Sequence, residues 1–165
     1  MNTTIRENTM NMLRRRGYVH LVENVVPEYL KMTDHKDDPI MVFFIEHTKV
    51  KIEIVKMIIS KAKFVYNVIV VHAKPLTPDA NYTLSFNKLY HFETFTFDEM
   101  MYDPIAIVPT HRLYTAEPHH NNKLNEINKL PIILSTDLIV RYFDFKRGSI
   151  IEIDDEGYIS YRRVV

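Results

Sequence analysis

Three groups in this 165-residue chain have the residue types for chemistry: His119-His120, Asp34-His35-Lys36 with Asp38, and Glu53 with Lys56. Neighbouring side chains on an extended chain point to opposite sides, so His119 and His120 do not ligate one ion together. No second cluster stands at metal-ligand spacing, and the pair reads as part of a solvated loop. Two-metal hydrolysis needs two or three converging carboxylates with a lysine near the attacking water. Asp34, Lys36 and Asp38 supply the types, but they fall in a polar stretch ahead of the first clear strand. Glu53 and Lys56 sit three residues apart on a helical pattern, where an ion pair accounts for them. No serine stands on a glycine-flanked elbow, so a Ser-His-Asp hydrolase has no nucleophile here. His111, followed by Arg112-Leu113-Tyr114, reads as a hydrogen-bonded structural histidine.

Composition narrows the field further. There is no cysteine, hence no disulfide, thiolate metal site or cysteine nucleophile, which points to an intracellular protein. Three glycines, at 17, 148 and 157, are too few for a glycine-rich phosphate cradle. Net charge is zero at pH 7, against a dedicated nucleic-acid binder with a basic face. The balance is uneven: residues 1–97 carry 13 Lys and Arg against 10 Asp and Glu, while 98–165 carry 8 against 11. The polar start MNTTIRENTM does not read as a signal peptide, and no apolar run approaches the length of a membrane span. No cofactor, metal or small-molecule ligand is expected.

The elements follow from periodicity. Thr4-Ile5-Arg6-Glu7 reads as a capping box, with Ile5, Thr9, Met12 and Leu13 on one helical face and Gly17 as the stop. Arg14-Arg15-Arg16 then lies in the last turn, where cations complement the helix dipole. A polar segment with Pro27 and Pro39 leads to a buried strand at Ile40–Ile45. An amphipathic helix follows through Val50, Ile54, Met57, Ile58 and Lys61, then a second buried strand at Phe64–Val71. Strand, helix, strand at this spacing predicts a parallel βαβ unit. Lys74–Asp79 is a proline-bracketed turn, and Tyr90, Phe92, Phe95 and Phe97 mark a stretch with strand character. Residues 115–122 read as a surface loop, and Asn125–Leu130 as a short helix at best. From Val140 onward, period-two patches and glycine turns predict a β-rich unit. The expected fold is thus α+β / α/β: a small α/β domain over 1–97 and a small β-rich domain over 98–165.

The most patterned stretch, LPIILSTDLIVRYFDFKRGSIIEI followed by GYISYRRV, resembles the C-terminal assembly domain of the fifth common subunit of eukaryotic RNA polymerases. In archaeal RNA polymerases the same domain stands alone as a small separate polypeptide. The resemblance rests on Leu130-Pro131, Asp137, Arg141-Tyr142, Lys146-Arg147-Gly148 and Tyr161-Arg162, with Val108-Pro109-Thr110-His111 upstream. Arg16-Gly17-Tyr18, Thr77-Pro78 and Glu93-Thr94-Phe95 resemble the N-terminal jaw domain of the eukaryotic subunit. Departures stand at Leu138, where the family has proline, at Asp144, where it has glycine, and at a shortened acidic loop, Asp154–Gly157. Aspartate tolerates a left-handed backbone better than most residues, so Asp144 is expected to keep the turn.

The resemblance implies a non-catalytic subunit docking on the largest polymerase subunit, with further polymerase subunits as partners and no membrane. Its implied docking residues are His111, Arg112, Leu130, Pro131, Asp137, Arg141, Tyr142, Lys146, Arg147, Gly148, Tyr161 and Arg162. It also implies a jaw near downstream duplex DNA, with Lys74, Thr77 and Pro78 close to the backbone in weak, sequence-independent contact. The location implied is the nucleus of a cell, or the cytoplasmic factory or virion of a large DNA virus. A metal-dependent nuclease, a standalone nucleic-acid-binding factor and a scaffold outside transcription are the alternative readings.

Overall fold

Val68, Ile69, Val70 and Val71 are all buried. A strand covered on both faces sits at the centre of a parallel sheet. These residues belong to β4 (Asn67–His72), which pairs in parallel with β3 (Pro39–Ile45) and with β5 (His91–Thr96). Helix α2 (Ile52–Lys61) connects β3 to β4, and α3 (Pro78–Ser85) connects β4 to β5. The expected βαβ unit is therefore followed by a second one that shares β4. Residues 3–115 and 129–165 are described by this computed structural model. Among them, the first sheet runs β1-β2-β3-β4-β5, its antiparallel side formed by β1 (His20–Val25) and β2 (Tyr29–Thr33).

Alternation along the strands sends side chains to two helical layers. Met41, Phe43, Val68 and Val70 meet Val55 and Ile58 of α2 and Ala80 and Leu84 of α3. On the other face α1 (Thr3–Arg15) brings the buried Arg6 guanidinium to 4.8 Å from the Phe44 ring centre. Arg6 also donates to Tyr29 O at 2.8 Å and to Asn24 Oδ1, which holds the β1–β2 hairpin against α1. Since α1 begins at Thr3, Thr4 lies inside its first turn and is not its cap. The capping box belongs to Thr96 and Glu99, at the start of α4 (Phe97–Met100), where β5 ends. Asn8 Nδ2 donates to Met100 O at 3.0 Å and ties α4 to α1. The first compact unit accordingly runs to Tyr102, and the second covers Asp103–Val165.

Three further sequence expectations give way in this unit. Phe64 is not in the second buried strand, which starts at Asn67; it is 89% exposed with φ +70°. Lys74–Asp79 is a turn only as far as Thr77, because Pro78 opens α3, and proline at the first helical position loses no hydrogen bond. The polar segment before Ile40 holds β1, exposed throughout, and the short β2, in which Leu30 and Met32 are buried on either side of Lys31.

The second unit contains β6 (Thr110–Leu113), β7 (Ile132–Ile133), α5 (Leu138–Tyr142), β8 (Ile150–Asp155) and β9 (Tyr158–Val164). Its sheet is ordered β6-β8-β9-β7, with Val140, Ile151, Ile153 and Val164 as the core beneath. Leu138–Tyr142 is a short helix, so the β-rich pattern expected from Val140 onward begins only after it. Asp137 decides the local outcome, its carboxylate accepting from Ile139 N at 2.9 Å as an N-cap. At the other end Asp144 adopts φ +56° and Phe145 N returns to Val140 O at 2.9 Å, a left-handed helix stop. The aspartate keeps the turn, as expected from its type. Residues 116–128 lie outside the described part, and with them His119, His120 and most of the expected loop and short helix.

Candidate functional site

Residues directly opposite in adjacent strands share a sheet face, so pairing sorts the candidate residues. Arg112 of β6 is opposite Glu152 of β8, and Glu152 is opposite Tyr161 of β9. The three form a row across the sheet, on the face turned away from the Ile151, Ile153 and Val164 core. Tyr161 donates its phenol to Glu152 Oε2 at 3.2 Å and meets the Tyr114 ring edge-on at 5.2 Å between centres. Burial and then that hydrogen bond raise the Tyr161 pKa. Arg112, Leu113, Tyr114, Thr115 and Glu152 line an open depression of about 320 Å³. Chemically, the row offers a cation, a carboxylate and two amphipathic rings, groups suited to pairing with charges and burying area on a partner.

A second group is the cationic turn after α5. Lys146 Nζ donates to Asp144 Oδ1 at 2.5 Å, Arg147 Nε to Ser135 Oγ at 3.0 Å, and Gly148 N to Val164 O at 2.9 Å. Gly148 has φ +87°, which lets the chain reverse into β8. Lys146, Arg147 and Gly148 are all exposed.

Other candidate residues fall elsewhere. Tyr142 is 1% exposed, with its hydroxyl donating to Asp103 Oδ1 at 3.3 Å; it is a core anchor and not part of a presented face. Arg162 is opposite Ile151, so it projects from the face opposite to Tyr161 although the two are adjacent in sequence. His111 pairs with Ile153 on that same face, its Nδ1 2.7 Å from Pro109 O. Asp137 is occupied as the α5 cap, Arg141 is half-buried in the last turn of α5, and Pro131 O accepts from Arg163 N at 2.9 Å beside the half-buried Leu130. Glu152 and Tyr114 complete the row without having been singled out. The alternation Ile151-Glu152-Ile153 was the signal for the first, since a lone acid between two core residues must face outward.

In the first unit, Lys74 and Pro78 are exposed and Thr77 is the α3 N-cap, its hydroxyl oxygen accepting from Ala80 N at 3.4 Å. Thr77 N also donates to Val50 O at 3.0 Å, so the loop is pinned next to the start of α2. Asp34 is committed to its own turn: its Oδ1 accepts from Lys36 N at 2.8 Å and Asp38 N at 2.9 Å, which lowers its pKa. A carboxylate so engaged explains the Asp34–Asp38 cluster as loop architecture. Arg16 leaves the helix end and forms a bidentate pair with Glu93, Nη1 to Oε1 at 2.8 Å and Nη2 to Oε2 at 2.7 Å. That pair joins two of the N-terminal motifs, Arg16-Gly17-Tyr18 and Glu93-Thr94-Phe95, across the unit.

Comparison with known proteins places these features in a family. The description "RNA polymerase Rpb5, C-terminal domain" matches residues 105–164, within the second unit. A curated Caenorhabditis briggsae protein, "DNA-directed RNA polymerases I, II, and III subunit RPABC1", is 32% identical over 148 residues, covering 79% of this chain and 70% of the relative. The chain belongs to the Rpb5 family. Its Rpb5 C-terminal domain thus contains the Arg112–Glu152–Tyr161 row, the Lys146–Gly148 turn and the α5 cap. An α+β architecture with two small sheets, each in its own unit, agrees with that membership. Among the described residues, no helix is long and apolar enough to cross a membrane.

Proposed function

We propose that this Rpb5-family chain is a non-catalytic subunit of a multisubunit DNA-dependent RNA polymerase, docked on the largest subunit through its C-terminal unit. The observation that carries the reading is the Rpb5 C-terminal match over 105–164, which contains an outer sheet face of paired charge and aromatic rings. Arg112, Glu152 and Tyr161, with the Lys146-Arg147-Gly148 turn, are the contact residues in this reading. Asp137 and Tyr142 act by holding α5 in place. Arg141 retains the role of a docking arginine, and Arg141→Ala weakens assembly by about 2 kcal/mol if it is an interface hot spot.

The N-terminal unit is the jaw in this reading, lying beside downstream duplex. Lys74, with Thr77 and Pro78 at the start of α3, would meet backbone phosphate without reading sequence, because a polymerase passes over every sequence. Zero net charge makes such binding by the free chain weak and confined to low salt. The compartment is wherever the polymerase works, a nucleus or a viral factory.

The test is affinity purification of the tagged full chain from its source cells. Co-purification of two very large subunits with nucleotidyl-transfer activity supports the proposal. Recovery of the chain alone, with metal-dependent nuclease activity of its own, overturns it.

A further inference from the structure

A feature of the N-terminal unit is left unused by the docking and jaw surfaces. Phe64 is a bulky residue held in left-handed backbone at φ +70° with its ring 89% in solvent. Both circumstances are unfavourable for phenylalanine, and neither is offset by core packing. Across from it Leu89 is 79% exposed, carried by a turn in which Asn87 Oδ1 accepts from Leu89 N at 2.9 Å and Tyr90 N at 3.1 Å. Lys63, Phe64, Val65, Tyr66, Leu89 and Tyr90 line an open groove of about 560 Å³. Its base is firm, because Val65 belongs to the core and Tyr90 packs against it. Tyr66, 60% exposed, stacks on His91 with an interplanar angle of 18°.

Charge on the wall segments of this groove has one sign. Residues 61–67 and 86–91, which carry its walls, contain Lys61, Lys63 and Lys88 and no acid. Lys61 is engaged by Glu28, whereas Lys63 arches over the Phe64 ring at 5.2 Å and Lys88 is exposed beside Leu89. Beyond the Phe64–Tyr66 ridge the sign reverses, where Asp34 and Asp38 line a separate depression. We propose that the groove receives a short segment of another protein, which inserts a bulky apolar side chain between Phe64 and Leu89 and sets flanking carboxylates against Lys63 and Lys88. Asp34 and Asp38 repel acids that cross the ridge, so they fix the side from which the segment enters. This inference stands on the first unit alone and does not depend on the polymerase reading.

The experiment is fluorescence anisotropy of the full chain with a labelled short peptide alternating Asp with Leu and Phe. The expected result is saturable binding, weakened about tenfold by Phe64→Ser and by Lys63→Glu, and absent for a peptide with Lys in place of Asp. Phe64→Gly separates binding from folding. Glycine accepts the left-handed backbone, so this variant keeps or raises Tm while weakening peptide binding as much as Phe64→Ser does. Absence of binding by the wild type, or equal binding by all variants, overturns the proposal. So does a self-association or single-stranded oligonucleotide binding that Phe64→Ser abolishes, since the occupant would then be a second copy or a nucleic acid.

Discussion

Tyr161 and Glu152 show how burial and one hydrogen bond tie the outer sheet face to pH. The Tyr161 pKa is raised above 10.0 by burial and by its bond to Glu152, so folding favours the neutral phenol. Its contribution to stability is complete below the unfolded pKa and is lost as pH rises through the folded one. Tyr161→Phe should therefore flatten the alkaline fall of Tm; Tyr29, raised first by its bond to Glu23, leaves a residual slope. An unchanged alkaline limb would contradict the assignment. Arg16 and Glu93 form the other residue-scale device, with side chains only 5% and 15% exposed. Glu93→Ala takes a bidentate carboxylate from a buried guanidinium and should cost about 3 kcal/mol in urea unfolding. Arg16 was read from sequence as one of three helix-end cations. Glu93 stands far along the chain, a pairing that no local pattern reveals.

Short elements here are decided by their ends. Thr96 caps α4 and receives Glu99 in return, so Thr96→Ala should destabilise the N-terminal unit by about 1 kcal/mol, measured by chemical denaturation. At Gly148 a Cβ would meet no atom within 4 Å, so only the left-handed backbone opposes a side chain. Gly148→Ala should thus cost about 1 kcal/mol and leave the β8–β9 packing intact. The elements legible in the sequence were the covered ones: Ile40–Ile45, the helix through Ile54 and Ile58, and the Val68–Val71 run. They are apolar throughout or apolar on one helical face, and burial enforces the pattern. The hairpin β1–β2 escaped because all six β1 residues are exposed and follow no alternation. Helix α3 escaped because Pro78 looked like part of a turn, and α5 because Ile139 and Val140 favour strands. In the site, the cationic turn was readable as a block, whereas Tyr161 and Arg162 looked like one motif until pairing put them on opposite faces.

Two compact units in one chain allow two tasks to be separated. The first unit carries the parallel sheet, the Thr77-Pro78 loop and the Phe64–Leu89 groove; the second carries the Rpb5 C-terminal match and the outer-face row. Substitutions in one should leave the other's role unchanged. The most direct test compares how much of the largest polymerase subunit co-purifies with the tagged wild type, with Arg112→Glu plus Tyr161→Ser, and with Lys74→Glu. The account predicts loss of the large subunit for the double variant and wild-type recovery for Lys74→Glu. Full recovery with the double variant folded, or loss caused by Lys74→Glu alone, would contradict it.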